Sequence, residues 1–224
     1  MTNDEIKEKL NSKKSPDRRR AAKEIGRNNI IEIGDDLFKK YLEEINDERT
    51  WETQCEMIKS LGIINYKKST ETIEKLIKNP STGGSIVCAA ASAYVQLKRK
   101  SNDDGKPILE LLETDILNII NGALKVLAYD KMKPDKETIE KIIKFSWDLN
   151  KHKQRIGIEY GTNDSREYVA NACAGWDKEL TIDFLNHCIE TAYNKSHLGK
   201  EYKNEQLINI CKNSLKGKYS KADL

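Results

Sequence analysis

The sequence predicts an all-α protein made of helix pairs that repeat along the chain. Apolar residues recur three and four positions apart in segment after segment, which is the spacing of amphipathic helices. No segment of any length alternates apolar and polar residues as a half-buried strand would. Two glycines that close predicted helices, Gly26 and Gly62, lie 36 positions apart, and this distance falls in the range of repeating helix pairs.

The first half of the chain contains six predicted helices. Residues 1–14 are expected to form an N-terminal capping helix, with Ile6 and Leu10 on its apolar side. The next helix has clear boundary signals, because Ser15 can cap its start and Pro16 is tolerated in a first helical turn. The predicted helices of this half cover residues 3–10, 15–26, 35–45, 49–61, 70–78 and 85–97.

The second half follows a polar break at residues 98–106. At nine residues this break is predicted to be a loop inside one domain that spans residues 1–224. Residues 151–161 are the least repeat-like segment, and residues 216–224 are expected to be a disordered tail. The predicted helices of this half cover residues 108–112, 116–127, 139–149, 165–174, 179–193 and 204–215.

Composition limits the classes of function. The formal net charge is only +3, so nucleic-acid binding would need basic residues to cluster locally. No run of about 18 apolar residues could span a membrane, and the first residues lack the apolar region of a secretion signal. Dispersed cysteines favour buried, reduced thiols in a cytoplasmic protein, and the five are Cys55, Cys88, Cys173, Cys188 and Cys211.

Three segments of the chain resemble repeats of the HEAT family. Each has an Asp followed by an Arg and then by small or apolar residues. The matching residues are Asp17, Arg20, Ala21, Ala22, Ile25 and Gly26, then Asp47, Arg49, Met57, Leu61 and Gly62, then Asp164, Arg166, Val169, Ala170, Ala172 and Trp176. The resemblance implies a right-handed α-α superhelix of about five to six antiparallel helix pairs. HEAT-like proteins include scaffolds, nucleic-acid binders and a few enzymes, so this fold does not set the function.

A non-catalytic scaffold that binds another protein is the favoured function. A helical repeat offers an extended surface, and the chain lacks residues arranged for chemistry. The irregular segment 151–161 is the preferred contact region, because a loop that interrupts a repeat can meet a partner. Arg and Tyr are also typical interface anchors. The predicted partner-binding residues are Arg155, Tyr160, Arg166, Trp176 and Asp177.

Nucleic-acid binding is the alternative from a different class. Basic clusters would bind phosphates if the fold aligned them, and a solvated helix face is the competing interpretation. The candidate phosphate-binding residues are Arg18, Arg19, Arg20, Lys98, Arg99 and Lys100. HEAT-like alkylpurine DNA glycosylases hold a cationic base with aromatic and acidic residues, and Trp176 with Asp177 resembles such a pair. Helix spacing instead favours burial of all three tryptophans, Trp51, Trp147 and Trp176.

Catalytic and metal sites are not predicted. The three histidines, His152, His187 and His197, do not have the spacing of metal ligands relative to Cys or acidic residues. Gly83 and Gly84 precede a helix but lack the Lys and the strand of a phosphate-binding loop. We therefore expect no catalytic residues, no metal and no cofactor.

Overall fold

The structure is a computed structural model, and it describes residues 1–80, 84–147, 164–195 and 201–220. The described residues are almost entirely helical, as the sequence predicts. The helices of the first half are α1 (Asn3–Leu10), α2 (Ser15–Arg27), α3 (Gly34–Glu44), α4 (Trp51–Ile63), α5 (Thr70–Lys78) and α6 (Gly84–Lys98). Those of the second half are α7 (Lys106–Leu112), α8 (Leu117–Tyr129), α9 (Lys136–Trp147), α10 (Arg166–Ala172), α11 (Lys178–Glu190) and α12 (Glu205–Ser214).

The chain divides into two compact units, Met1–Lys98 and Arg99–Leu224. The boundary falls in the polar break at residues 98–106, where the sequence analysis expected only a loop within one domain. In the first unit, the apolar faces of α1 to α6 contribute to one core. In the second unit, α8 supplies fully buried side chains such as Ile120 and Leu124.

Two helices of the first unit, α2 and α4, run side by side in the same direction. Near their starts, the hydroxyl oxygens of Ser15 and Thr53 lie 2.6 Å apart. Near their ends, the Ser60 hydroxyl donates to the backbone carbonyl of Ala22 at 2.7 Å. Because these contacts occur in the same order along both helices, α2 and α4 are parallel neighbours.

The two glycines of the predicted repeat allow close helix packing. A Cβ atom at Gly26 would lie 2.8 Å from the hydroxyl oxygen of Ser60 in α4. A Cβ atom at Gly62 would lie 2.7 Å from the Cα atom of Ala93 in α6. The sequence analysis interpreted these glycines as helix stops, but α2 and α4 each continue for one residue beyond them. Their role is close approach of the next helix, and the helix ends are made differently.

Four helices end in the same backbone motif. In each, a residue with positive φ is followed by an N–H that donates to the carbonyl five residues earlier, as in a Schellman motif. The residues with positive φ are Asn29, Asn65, Lys131 and Gly217, with φ of 49°, 52°, 49° and 69°. The closing bonds are Ile30 to Ile25, Tyr66 to Leu61, Met132 to Leu127 and Lys218 to Asn213, each 3.0 Å long. The same helix-ending geometry therefore recurs in both units.

The capping helix and the cysteines follow the predictions. Helix α1 starts with a capping box, in which the Thr2 hydroxyl accepts from the Glu5 N–H and the Glu5 carboxylate accepts from the Thr2 N–H. Ile6 and Leu10 are buried. All five cysteines are free thiols, and only Cys88 is more than slightly exposed. Burial raises the pKa of the Cys55 thiol to about 11, as expected for an unreactive structural cysteine.

Two tryptophans and one pair of strands differ from what the sequence predicts. Trp51 and Trp147 were predicted to be buried, but they are 46% and 38% exposed. No strand was predicted, yet Tyr193–Lys195 (β1) and Glu201–Lys203 (β2) form a short antiparallel pair. A three-residue strand is too short to show an alternating pattern in the sequence.

The predicted disordered tail is also partly wrong. Its first residues, up to Ser220, are ordered on the second unit. The Ser220 N–H donates to the Asn171 side chain at 2.8 Å, and the Asn213 amide donates to the Ser220 hydroxyl at 3.0 Å. Residues 221–224 lie outside the described residues.

Candidate functional site

Of the predicted partner-binding residues, Arg155 and Tyr160 lie outside the described residues, and Arg166 is not on the surface. The Arg166 side chain is 2% exposed and forms an ion pair with Asp164, whose side chain is 1% exposed. Its Nη2 lies 2.7 Å from the Asp164 carboxylate, and its Nη1 donates to the Thr191 hydroxyl at 2.7 Å. The prediction of a surface anchor at Arg166 is corrected to a buried structural ion pair.

The charge on Arg166 is maintained despite its burial. Burial lowers the pKa of a guanidinium, but the hydrogen bonds and negative charge of Asp164 outweigh that effect and raise the pKa above its ordinary value. The next residue, Glu167, accepts from the Asn204 amide at 3.0 Å and from the Gln206 amide at 2.9 Å. The Glu167 bonds hold the start of α10 against the start of α12, and the bond from Arg166 to Thr191 holds it against the end of α11.

Trp176 and Asp177 also have structural roles. The Trp176 ring is only 7% exposed, and its Nε1–H donates to the backbone carbonyl of Met132 at 2.8 Å. The Asp177 carboxylate caps α11 by accepting from the Glu179 N–H at 3.0 Å. Trp176 was therefore correctly placed in the core, and it offers no exposed ring face for a partner or a cationic base.

In the first basic cluster, Arg18, Arg19 and Arg20, two of the three residues form ion pairs. Arg18 donates to both carboxylate oxygens of Glu44, at 2.6 and 2.7 Å, and to the backbone carbonyl of Ser12 at 2.9 Å. Arg19 forms an ion pair with Glu52 of α4. Arg20 is exposed. The prediction that Arg18 and Arg19 bind phosphates is thus corrected, since carboxylates already compensate their charges.

The second basic cluster is Lys98, Arg99 and Lys100, and the first unit ends in the sequence at Lys98. In the first unit, the Lys98 ammonium lies 3.1 Å from the Glu74 carboxylate. In the second unit, the Arg99 guanidinium lies 2.7 Å from the Asp130 carboxylate. Only Lys100 of this triplet is exposed without an ion pair among the described residues. Lys98 and Arg99 therefore act as partners of nearby acidic residues.

The best candidate site is a surface groove between α9 and α11 of the second unit. At one end, the Trp147 ring stacks on the His187 ring, with centroids 4.4 Å apart and an angle of 9° between the planes. The Phe184 ring lies beside them, 6.1 Å from the Trp147 ring. The groove has a volume of about 360 Å³ and is lined by Glu140, Ile143, Lys144, Trp147 and Leu180. We call it the Trp147 groove.

The Trp147 groove has an apolar floor and a charged rim. Ile143 and Leu180 provide aliphatic surface, and Trp147 adds an aromatic ring that is 38% exposed. On the rim, the Glu140 carboxylate lies 3.8 Å from the Lys136 ammonium. Lys144 is exposed and forms no ion pair within the part of the chain that the structure describes.

The pKa of the imidazole that stacks on Trp147 is lowered. Burial lowers the pKa of His187 below its ordinary value, and the nearby positive charge of Arg166 lowers it further. Glu190 acts in the opposite direction. The lowered pKa favours the neutral form of the imidazole in this stack.

Sequence reasoning missed this groove but contained part of its signal. Glu140, Ile143 and Trp147 are spaced by three and four residues, so they share one face of α9. The same spacing places Leu180, Phe184 and His187 on one face of α11. Spacing within one helix does not show which helix it contacts, so the sequence did not predict that these faces pack together or that one end of the contact stays open.

Comparisons with known proteins identify no relative. No family model matches the sequence, and neither curated proteins nor solved structures gave a match. Among the described residues, no group of three His, Cys, Asp or Glu side chains could hold a metal ion. No helix in the same residues is long and apolar enough to cross a membrane.

Proposed function

We propose that this chain is a HEAT-like helical repeat protein, wound as a right-handed superhelix, that binds another protein and catalyses no reaction. The parallel contact of α2 with α4 supports the repeat, as do the close approaches at Gly26 and Gly62. The recurring helix ends at Asn29 and Asn65 have the same 36-residue spacing as these glycines. Stacked helices of this kind present extended surfaces for partners.

The exposed ring of Trp147 is the observation that carries the proposed function. Trp is among the residues that contribute most to protein interfaces, especially when it lies in a pocket from which water is excluded on binding. Stacking on His187 fixes the ring orientation before a partner arrives, which lowers the entropy cost of binding. A partner side chain placed on Ile143 and Leu180 would cover the rest of the apolar floor.

The charge at the groove rim indicates the kind of segment that fits. An aliphatic or aromatic side chain would occupy the floor, and an Asp or Glu close to it would pair with Lys144. The volume of about 360 Å³ is at the lower end of ligand-binding clefts. The groove therefore suits one or two anchor residues of a longer interface.

The test measures how partner affinity depends on Trp147. The partner is captured from the native cell in the presence of nuclease, purified, and titrated against the wild-type chain. Trp147→Ala should weaken binding by about 2 kcal/mol, since truncation of a central interface Trp has effects of this size. Trp51→Ala is the matched control, because Trp51 is similarly exposed but belongs to the first unit and does not line the groove.

Lys144→Glu provides an independent variant that keeps the aromatic stack. It should also weaken binding, mainly through a slower association rate at low salt. Circular dichroism and the unfolding midpoint establish that each variant is folded. If Trp147→Ala binds as tightly as wild type, or if Trp51→Ala loses as much affinity, the Trp147 groove is not the binding site.

A further inference from the structure

Helix α2 separates its positive charges onto two sides. Arg18 and Arg19 pair with Glu44 and Glu52, as described above. Arg20, Lys23 and Arg27 are exposed, and their spacing of three and four residues places them on one face of the helix. Spacing alone did not show which of these residues pair with acidic residues, because Glu44 and Glu52 belong to other helices.

The exposed cations are little compensated by acidic residues. Arg20 and Lys23 form no ion pair among the described residues, and the same is true of Lys13 and Lys14, which are exposed just before the helix. Arg27 makes only a long contact, 3.4 Å, with Glu24, and its side chain is 62% exposed. We call Arg20, Lys23 and Arg27 the α2 basic face, and Lys13 and Lys14 are exposed cations of the segment that precedes it.

The chemistry of this face differs from that of a protein interface. No exposed large apolar residue belongs to α2 in the described structure. Protein interfaces depend on aromatic and apolar anchors at their centre, whereas a phosphate backbone is bound mainly by Lys and Arg. The face is also extended, because Arg20 and Arg27 are separated by about 10 Å along the helix axis at 1.5 Å per residue. That length spans several phosphates of a nucleic acid.

We infer that the α2 basic face binds the phosphate backbone of a nucleic acid without reading its sequence. The inference is independent of the Trp147 groove, which lies in the other unit. Three cations would make about three phosphate contacts, so the logarithm of the binding constant should fall with the logarithm of the salt concentration with a slope of about −3 on duplex DNA.

The test is a salt titration of binding by fluorescence anisotropy. The probes are a labelled DNA duplex of about 20 bp and a single-stranded RNA of about 20 nucleotides, each with the full-length chain. The double variant Arg20→Gln/Lys23→Gln should lower the affinity for both probes at least tenfold at low salt. It should also make the slope on the duplex shallower by about 2, because each lost phosphate contact changes the slope by about 1.

The matched control changes the net charge by the same amount at another exposed site. Lys75→Gln/Lys78→Gln removes two exposed cations from α5 of the same unit, of which Lys75 pairs with Glu71, and it should leave the slope unchanged. Lys13→Gln/Lys14→Gln removes two exposed cations that precede the helix, and it should change the slope less than Arg20→Gln/Lys23→Gln does. Thermal unfolding midpoints confirm that each variant is folded.

Three results would overturn the inference. The first is a wild-type slope close to zero, and the second is an equal loss of affinity in the α5 control. The third is a polyglutamate of matched charge that binds as tightly as the nucleic acids, which would assign the face to acidic proteins instead.

Discussion

Two copies of the same short motif, Asp47–Arg49 and Asp164–Arg166, form the same local ion pair in opposite environments. In both copies, the Arg N–H donates to the Asp carboxylate at 3.1 Å. The guanidinium Nη2 contacts the same carboxylate, at 2.8 Å for Arg49 and 2.7 Å for Arg166. The Arg49 side chain is 89% exposed and the Arg166 side chain 2% exposed. Local sequence therefore sets the geometry of the pair, and packing sets its energetic importance.

The surroundings explain why one copy is a core element and the other is not. At Asp47, the chain turn is held by the Gln54 amide, which donates to the backbone carbonyls of Asp47 and Glu44 at 2.9 and 3.2 Å. The Arg49 guanidinium takes no part in that arrangement. At Asp164, the guanidinium itself reaches Thr191 at the end of α11, so it joins two helices. Only the second unit depends on the ion pair for its packing.

We expect Arg166→Ala to cause the largest loss of stability. Removing the guanidinium takes away the ion-pair partner that Asp164 has among the described residues and leaves this carboxylate buried, which should lower the free energy of unfolding by about 3 to 5 kcal/mol. Urea denaturation followed by circular dichroism measures this loss. The double variant Asp164→Leu/Arg166→Met should lose less than the single variant, because it leaves no unpaired charge. A loss below that of typical surface substitutions would show that Asp164 finds other partners.

We expect a smaller loss of stability when the Thr191 hydroxyl, which accepts from Arg166, is removed. Thr191→Val removes an acceptor for Arg166 Nη1 and should destabilise the fold by about 1 to 3 kcal/mol, the cost of leaving a buried donor unsatisfied. Thr50→Val is the matched control, because each hydroxyl donates to a backbone carbonyl, at 2.7 Å for Thr191 and 2.8 Å for Thr50. Only Thr191 also accepts from a guanidinium. Equal losses in the two variants, by the same denaturation assay, would contradict the comparison.

The sequence predicted much of the fold because helix spacing and capping are local. The bounds of Asn3–Leu10 and Thr70–Lys78 agree with the predicted helices, whereas the Asp-x-Arg spacing was interpreted only as a repeat resemblance and not as an ion pair. Exposure depends on which helix covers a residue, and this information is not local. For this reason Trp147 was wrongly placed in the core and Arg166 wrongly placed on the surface. The ordered Ser220 depends on Asn171, far away in the sequence, so spacing could not reveal it.

The titration of His187 should make a smaller contribution, which appears in how stability depends on pH. Because the pKa of His187 is lowered in the folded state, the unfolded chain binds the proton first as the pH falls below about 6.5. This histidine should therefore reduce stability as the pH is lowered from about 7 to 5. Subtracting the unfolding free energy of His187→Asn from that of wild type at each pH isolates the contribution. An unchanged difference across this range would contradict the prediction.

The pKa of His187 also depends on the buried ion pair between Asp164 and Arg166. The positive charge of Arg166 helps to lower the pKa of His187. Arg166→Met, if folded, should therefore raise the pKa of His187 toward its ordinary value, as measured by NMR of the imidazole ring. Arg49→Met is the control, and it should leave the His187 titration unchanged. Equal shifts in both variants would mean that the effect comes from net charge.

We expect Arg49→Ala to change the stability least. Its ion pair with Asp47 is solvated, so the attraction is screened and the ordering of two side chains offsets most of the gain. The unfolding midpoint of this variant should coincide with that of wild type at both low and high salt. Asp47→Ala is unsuitable for this test because it also removes the acceptor of the Arg49 N–H. If Arg49→Ala were as damaging as Arg166→Ala, burial could not be what separates the two copies, and the motif itself would have to stabilise each helix start.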